Sequence, residues 1–169
     1  TVANDLLPLG YEVVILEQYA TAGGLMRTNI PSFRLPAAVL DEEIGYIVGM
    51  GVEMRYNTPV TSLKALVASK EFDAVYVGSG APKGKELDLP GRHEGDQIFI
   101  GIEWLESIHF GHINSVGKRV LIIGVGNTAM DCCRTSLRLG AKTVKVMARK
   151  PRQFFKASAW ELDDAEEEH

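Results

Sequence analysis

The first half of the chain alternates short apolar runs with longer segments of helical periodicity. Residues 12–17 are rich in β-branched side chains, which is typical of a strand buried on both faces of a parallel sheet. Leu40, Ile44 and Ile47 recur at helical spacing. Gly10 is placed to end an earlier helix. The elements predicted in this half are strands over 12–17, 52–56 and 73–78, with helices over 37–51 and 62–70.

The second half contains the strongest strand pattern of the chain, over residues 118–124. A Gly-Val-Gly turn leads into a helix predicted over 127–139, which Gly140 ends, and a second strand follows over 143–148. This order is a βαβ unit. The sequence therefore predicts an α/β fold with parallel strands and short connections.

A polar stretch separates the two halves. Residues 82–96 combine prolines, glycines and many charged side chains, so they are predicted to form a loop or linker. Both halves share one plan, in which a strand, a Gly-rich turn and a helix follow one another. We therefore predict two domains, over residues 1–97 and 98–169.

Composition is that of an ordinary globular protein. Apolar residues make up 46% of the 169 residues and charged residues 24%, which excludes disordered, collagen-like and disulfide-rich classes. The net charge of −4 is concentrated at one end, because residues 161–169 include six acids and no Lys or Arg. Ser158 and Glu161 have the spacing of a capping box, so this acidic end is predicted to be helical.

The sequence contains no membrane or targeting signal. No apolar run approaches the roughly 18 residues that a membrane helix needs. The two cysteines, Cys132 and Cys133, are adjacent, and adjacent cysteines rarely form a structural bridge. We therefore expect a cytoplasmic protein in a reducing compartment, with no membrane partner.

The turn after the strand over 118–124 carries a nucleotide-binding pattern. Gly124, Gly126 and Ala129 match G-x-G-x-x-A, the dinucleotide fingerprint. The first Gly permits a tight turn, the second lets a pyrophosphate approach the backbone, and the Ala keeps the helix close to the sheet. The free N–H groups of the helix would then bind the phosphates. The alternative is a turn of small residues that serves helix packing alone.

Basic residues crowd the end of the following strand, where an NAD site would present an acid to the ribose hydroxyls. Arg149, Lys150, Arg152 and Lys156 lie there instead. Cations suit a 2′-phosphate, which favours NADPH over NADH. The alternatives are a solvated basic loop or one that neutralises the acidic end of the chain. A nucleic-acid site is not predicted, because no RNA-binding signature accompanies the charges.

The strand over 12–17 ends in Glu17, which has the place that Arg149 has in the second half. In the second half, the Gly-rich turn begins at Gly124 and precedes Arg149. A turn at the same distance before Glu17 would lie upstream of Thr1. A first strand and Gly-rich turn are therefore expected upstream, and both domains are expected to be incomplete in this sequence. The alternative is that Glu17 is an ordinary acid at the end of a strand.

Four segments in order resemble the small subunit of NADPH-dependent glutamate synthase and its relatives, which include the flavin-containing part of dihydropyrimidine dehydrogenase. These segments are EQYATAGGL (17–25), IPSFRLP (30–36), NTPV (57–60) and GVGNTAMD (124–131). The resemblance implies two Rossmann-like domains, the first binding FAD and the second NADPH, with hydride passing from NADPH to FAD. Electrons then leave for a partner subunit or domain, which contains iron–sulfur centres in the glutamate synthase case.

The same resemblance implies the binding residues. For FAD these are Glu17 at the ribose hydroxyls, Gly23, Gly24 and Leu25 along the flavin, Arg34 as a cationic contact, Val60 at the adenine, and Gly80 and Ala81 in a closing turn. For NADPH they are Gly124, Val125, Gly126, Asn127 and Thr128 at the phosphates, with Arg149, Lys150 and Lys156 at the 2′-phosphate. Residues 152–158 depart from the Met-Pro-Ala stretch common in glutamate synthase small subunits.

Other function classes have weaker support. A second hypothesis is a diaphorase-like subunit that serves ferredoxin, formate dehydrogenase or a pyrimidine reductase, and a third is a nucleotide-binding module without turnover. Cys132 and Cys133 are predicted to pack against the sheet, and His109 and His112 are not predicted to bind a metal. We predict no catalytic side chain, because in flavin–nicotinamide chemistry the cofactors carry the reaction.

Overall fold

The computed structural model describes residues 1–168, which form two compact units. The first contains Thr1–Arg27 and Ser32–Gly80, and the second contains Thr28–Pro31 and the chain from Ala81 onward. Residues 82–96 contain no helix or strand, as predicted. His169, the last residue of the predicted NADPH domain, lies outside the described residues. The assignment of residues 1–97 and 98–169 to separate cofactors stays a prediction.

The first unit is built on a pair of parallel strands. Strand β1 pairs with β2 in the register Val14↔Glu53 to Leu16↔Arg55. Leu40 of α3 and Val52, the residue before β2, are buried. The elements of this unit are α1 (Val2–Leu6), a 3-10 turn (Leu7–Leu9), β1 (Val14–Leu16), α2 (Gly24–Thr28, whose last residue belongs to the second unit), α3 (Ala37–Gly49), β2 (Glu53–Arg55) and α4 (Leu63–Ala68).

The second unit contains the predicted βαβ arrangement. Strand β3 pairs in parallel with β4, from Arg119↔Thr143 to Ile123↔Met147. Trp104, Leu105 and Cys132 form its apolar core. The elements are α5 (Gly101–His109), β3 (Arg119–Ile123), α6 (Asn127–Arg138), β4 (Thr143–Met147), a 3-10 turn (Arg152–Phe154) and α7 (Ala159–Glu167). No helix among residues 1–168 is both long and apolar enough to cross a membrane.

A short segment from early in the sequence belongs to this second unit. Thr28 and Asn29 are buried. The Asn29 side chain donates a hydrogen bond from Nδ2 to the carbonyl oxygen of Ile102 at 2.6 Å, and its Oδ1 accepts from the Thr28 hydroxyl at 2.6 Å. The first turn of α5 is therefore tied to residues that lie more than seventy positions earlier.

Two glycines end helices as the sequence predicts. Gly10 has a φ of +86° and Gly140 a φ of +93°, a region that L side chains rarely adopt. After α6, the Gly140 N–H donates to Leu137 O at 2.9 Å and the Ala141 N–H donates to Ser136 O at 3.1 Å. This pair of bonds is a Schellman motif, which satisfies carbonyls that the helix leaves open.

Two predictions about strands are wrong. Residues 73–78 form no strand, and Tyr76 is 73% exposed. A strand exists only beside a hydrogen-bonded neighbour, and none pairs with this segment among residues 1–168. The β1 residues are half-buried rather than buried on both faces, because β1 pairs with β2 alone.

The predicted capping box at α7 is also wrong. Ser158 is the N-cap residue, but its side chain makes no capping hydrogen bond. In a capping box the Glu161 carboxylate would accept the Ser158 N–H. That N–H instead donates to Oδ1 of Asn127 at 2.9 Å. Glu161 is buried toward α6, where one carboxylate oxygen lies 3.7 Å from a guanidinium nitrogen of Arg134.

Oppositely charged side chains join α6 to α7. Arg134 has only 8% of its side chain exposed, and it donates to Asp164 at 3.0 Å and to Glu168 at 2.8 Å. Arg138 donates to the second carboxylate oxygen of Glu168 at 2.6 Å. The hydrogen bond from Arg138, supported by those from Arg134, lowers the pKa of Glu168 to about 2. We call Arg134, Arg138, Glu161, Asp164 and Glu168 the α6–α7 ion cluster.

We expect the second unit to lose stability as the pH falls from about 5 to about 2. The folded Glu168 carboxyl binds its proton at a lower pH than the unfolded one, so its contribution is complete above its ordinary pKa of 4.5 and is lost toward pH 2. Glu168→Gln removes this titration and should lower the free energy of unfolding at pH 7 by about 1–2 kcal/mol.

Urea unfolding at several pH values measures this effect, with the fluorescence of Trp104 and Trp160 as the signal, since both lie in the second unit. The stability of the variant should fall less between pH 5 and 2 than that of the unsubstituted protein. If the stability of both proteins fell equally between pH 5 and 2, the role assigned to Glu168 in this pH dependence would be contradicted.

Candidate functional site

The turn between β3 and α6 has the form that anion binding needs. The Gly124 N–H donates to Met147 O at 3.0 Å, which continues the sheet into the turn. Gly124 has a φ of +129°, where a side chain would strain the backbone. A Cβ at Gly126 would meet nothing within 4 Å, so open space lies over the backbone. Ala129 is buried, as close packing of the helix requires.

Helix α6 begins at Asn127, and Gly126 is its N-cap residue. Gly126 has no side chain to cap the helix, so the N–H groups of Asn127 and Thr128 are available to a ligand, whereas the Ala129 N–H donates to Gly126 O at 2.9 Å. The positive end of the helix dipole lies at the same place. Val125 lies in the turn, and Asn127 and Thr128 are the first two residues of α6, so the residues present fit a pyrophosphate.

Among the basic residues after β4, Arg152 has different contacts from Arg149 and Lys150. Arg152 forms an ion pair with Glu166, whose hydrogen bond raises the pKa of Arg152 and lowers its own. Arg152 thus pairs with one acid of α7, as the alternative of a loop that neutralises the acidic end of the chain implies. Lys150 lies with Nζ 5.5 Å from the ring centroid of Phe154. Arg149 and Lys150 are exposed beyond the end of β4.

The structure brings Lys156 onto the Gly-rich turn. The N–H groups of Lys156 and Ala157 both donate to Val125 O, at 3.1 and 2.9 Å. The side chain of Asn127 accepts the Ser158 N–H. The sequence assigned Val125 and Asn127 to phosphate binding, but it did not predict that both residues accept hydrogen bonds from the 156–158 segment. The Asn side chain at the first position of an uncapped helix was the available signal.

In the first unit, Glu17 follows directly after β1. Its N–H donates to Arg55 O at 3.0 Å, and its carboxylate accepts the Tyr19 N–H at 2.9 Å. The Thr58 N–H donates to Glu17 O at 2.8 Å. Val60, two residues later, is 46% exposed. Glu17 and the segment that leads to Val60 therefore follow the carboxyl ends of two paired parallel strands, where such folds bind ligands.

The predicted flavin segment has a tightly determined backbone. Gly23 has a φ of +134°, and a Cβ there would lie 2.9 Å from both Leu40 Cδ2 and Arg27 Cβ. The Arg27 side chain donates from Nε to Ala22 O at 2.5 Å and pairs with Asp41. These contacts hold the entry to α2 against α3.

The remaining predicted contacts lie in different surroundings. A Cβ at Gly80 would lie 3.6 Å from Leu25 Cδ1, so two predicted FAD residues are neighbours in the first unit. Gly24 has open space around its Cα. Arg34 is half-buried in the first unit, whereas Ala81 is exposed at the start of the main part of the second. The binding roles of all these residues stay predictions.

Cys132 packs against the sheet, as predicted, whereas the packing of Cys133 against the sheet stays a prediction. Cys132 and Cys133 are buried and free, and Cys132 lies in the cluster that Trp104 and Ile122 of β3 also form. The Cys132 thiol donates to Gly101 O at 3.7 Å. Burial raises the pKa of Cys132 to about 12 and also raises that of Cys133. The thiols are therefore protonated and unreactive near neutral pH.

The two histidines do not share a helix face. Helix α5 ends at His109, and His112 lies beyond it. The ring of Phe110 contacts both, with centroids 5.0 Å from His109 and 6.1 Å from His112. Within residues 1–168 no three His, Cys, Asp or Glu side chains converge as metal ligands.

Comparisons with known proteins identify relatives that cover nearly all of the chain. It is 37% identical over 169 residues to the beta subunit of the NADP(+)-dependent formate dehydrogenase of Moorella thermoacetica, and 33% identical over 181 residues to the small chain of glutamate synthase [NADPH] of Azospirillum brasilense. It is 39% identical over 160 residues to a Salmonella typhi homolog of PreT, a subunit of NAD-dependent dihydropyrimidine dehydrogenase. The resemblance predicted from the sequence is confirmed.

The chain spans less than two fifths of the length of each of these relatives. The matches cover 98%, 98% and 93% of the chain but 24%, 37% and 38% of the respective proteins. No family model matches the chain.

A solved structure confirms the predicted fold class. FprA of Mycobacterium tuberculosis in complex with NADPH matches 98% of the chain and 44% of its own length, with a TM-score of 0.82 at 20% identity. The predicted α/β fold with Rossmann-like parallel strands is therefore confirmed.

We expect two glycine substitutions to have opposite effects. Gly23→Ala should lower the free energy of unfolding by about 2–3 kcal/mol, because the residue needs a positive φ and its Cβ would clash with Leu40. Gly45→Ala, inside α3 with nothing within 4 Å, should raise it by about 0.5–1 kcal/mol. Urea unfolding followed by far-UV circular dichroism measures both. A Gly23→Ala protein as stable as Gly45→Ala would contradict the geometry.

Proposed function

We propose that this chain is part of an NADPH-oxidising flavoprotein, in which hydride passes from NADPH to FAD and electrons continue to a partner subunit or domain. The observation that supports this proposal most directly is the contact between the Gly-rich turn and the basic loop. Lys156 and Ala157 donate to Val125 O, so a cationic segment lies beside an uncapped helix start. Phosphate binding uses both features.

The second unit would hold NADPH. The N–H groups at the start of α6 bind the pyrophosphate, with Gly126 leaving room for it. Arg149, Lys150 and Lys156 bind the 2′-phosphate, which NADH lacks. The relatives include both NADP(+)-dependent and NAD-dependent proteins. The preference for NADPH therefore rests on this loop of the chain itself.

The first unit would hold FAD. Glu17 follows the end of β1 and accepts the Tyr19 N–H with one carboxylate oxygen, and the other oxygen would accept hydrogen bonds from ribose hydroxyls. Gly23, Gly24 and Leu25 would follow the flavin, with Gly80 beside Leu25. Arg34, Val60 and Ala81 would complete the site as the family resemblance implies.

When both cofactors are bound, the nicotinamide supplies a hydride and the flavin accepts it. The chain itself positions the two cofactors and neutralises their phosphates. Both cysteines are buried in the second unit, and we assign them no role in the reaction. A catalytic side chain is therefore not proposed.

The partner would be an electron-accepting subunit, because the relatives are named as subunits or chains of larger enzymes. A glutamate synthase partner would carry electrons through iron–sulfur centres. The second candidate is a diaphorase-like subunit that serves formate dehydrogenase or a pyrimidine reductase, which the Moorella and Salmonella relatives favour. A neighbouring gene for a large amidotransferase-type subunit would favour the first candidate.

We expect the complete protein to show a visible flavin band that bleaches when NADPH is added without oxygen. NADH should bleach it more slowly, since it lacks the group that the basic loop binds. An anaerobic absorbance titration measures both. A colourless protein that binds NADPH without oxidising it would contradict the proposal and favour a nucleotide-binding module.

We expect the double substitution Arg149→Gln and Lys150→Gln to lower kcat/KM for NADPH by about 10- to 100-fold, because two charges at the 2′-phosphate are lost. The value for NADH should stay within about threefold. Steady-state kinetics with both nucleotides measure the difference.

Lys145→Gln is the matched control, since Lys145 is an exposed residue of β4 outside the basic loop. It removes one charge from the same unit and should change neither value by more than about twofold. Equal losses for NADPH and NADH in the double variant would count against the assignment of the loop.

A further inference from the structure

The connection from β4 to α7 passes beside the Gly-rich turn. Residues 148–158 contain no regular element except the 3-10 turn. Three hydrogen bonds fasten the end of this connection. The Lys156 and Ala157 N–H groups donate to Val125 O, and the Ser158 N–H donates to Asn127 Oδ1. The backbone of Lys156 is therefore placed relative to the turn, although its side chain is exposed.

Helix α7 begins at the next residue, Ala159. The position of α7 therefore determines where the backbone of Ser158 lies. The α6–α7 ion cluster holds this helix. Glu168 accepts from Arg134 at 2.8 and 3.0 Å and from Arg138 at 2.6 and 2.9 Å. Arg134 belongs to α6, the helix whose N-terminus forms the phosphate turn. One rigid helix thus carries the turn at one end and the anchor for α7 at the other.

The other restraints on the connection are weaker. The Arg152–Glu166 pair has both side chains about 60% exposed, at 62% and 58%. Exposed pairs of this kind contribute little to stability. Lys150 and Phe154 contact each other within the connection, so their contact does not fix it to α6. Arg134, by contrast, is almost fully buried, so the loss of an acidic partner costs more there than at an exposed arginine.

We propose that the α6–α7 ion cluster is a positioning device for Lys156 and thereby sets the preference for a 2′-phosphorylated nucleotide. This inference rests on the proposed function. Arg134 and Arg138 lie in the C-terminal half of α6, and Glu168 is the residue that follows α7. These residues act on Lys156 through α7 and the 156–158 segment. When the cluster is weakened, the connection gains freedom that the ligand must remove on binding, and the contact between Lys156 and the 2′-phosphate loses strength.

The test is Glu168→Gln in the complete protein, titrated by calorimetry with 2′-phospho-ADP-ribose and with ADP-ribose. The affinity for the phosphorylated probe should fall about five- to tenfold, while that for ADP-ribose changes by less than about twofold. In steady-state assays KM for NADPH should rise with kcat unchanged. Arg138→Gln, which keeps the buried Arg134, gives the same pattern and serves if Glu168→Gln folds poorly.

Glu167→Gln is the matched control, because Glu167 is an exposed neighbour on α7 and carries the same charge. It should leave both affinities unchanged within about twofold. Equal losses for both probes in Glu168→Gln would mean that the cluster only stabilises the fold, and this would overturn the inference. It would also be overturned if Glu168→Gln behaved like Glu167→Gln while the unsubstituted protein prefers the phosphorylated probe. An unsubstituted protein that binds neither probe would overturn the proposed function as well.

Discussion

The carbonyl oxygen of Val125 accepts two backbone N–H groups, and the arrangement of the second unit depends on this contact. It joins the Gly-rich turn after β3 to the chain that returns after β4. Together with the hydrogen bond from Ser158 to Asn127, it keeps the end of the basic loop beside the start of α6. Two features that favour a phosphate, a helix N-terminus and a basic segment, are thereby held at one place.

Helix α6 favours negative charge at its N-terminus and positive charge near its C-terminus. Its N-terminus presents N–H groups and the positive end of the dipole, which favour an anion. Its C-terminal half carries Arg134 and Arg138, which bind the carboxylates of α7. Cations near a helix C-terminus also interact favourably with the dipole. The same backbone polarity therefore supports both the candidate ligand site and the attachment of the acidic helix.

Local sequence patterns predicted most helices and strands, because the conformation of these segments depends largely on residues that are neighbours in sequence. The strands at 14–16, 53–55, 119–123 and 143–147 and the glycine ends at Gly10 and Gly140 follow from apolar periodicity and from the φ that glycine permits. The failures depend on partners that no local pattern contains. Residues 73–78 have strand propensity but no neighbouring strand, and the Ser158 N–H is taken by Asn127 from another element. Arg134 was not singled out, because its burial requires acids thirty positions later.

The two units are interleaved along the chain. Thr28–Pro31 belongs to the second unit, although the residues on both sides of it belong to the first. Asn29 supplies a side-chain donor to Ile102 at the start of α5. A single cut in the linker would therefore release a second unit that lacks part of its own structure. A gene fragment that divides the protein at one point separates Thr28–Pro31 from the rest of the second unit, and a domain swap between relatives must carry both segments together.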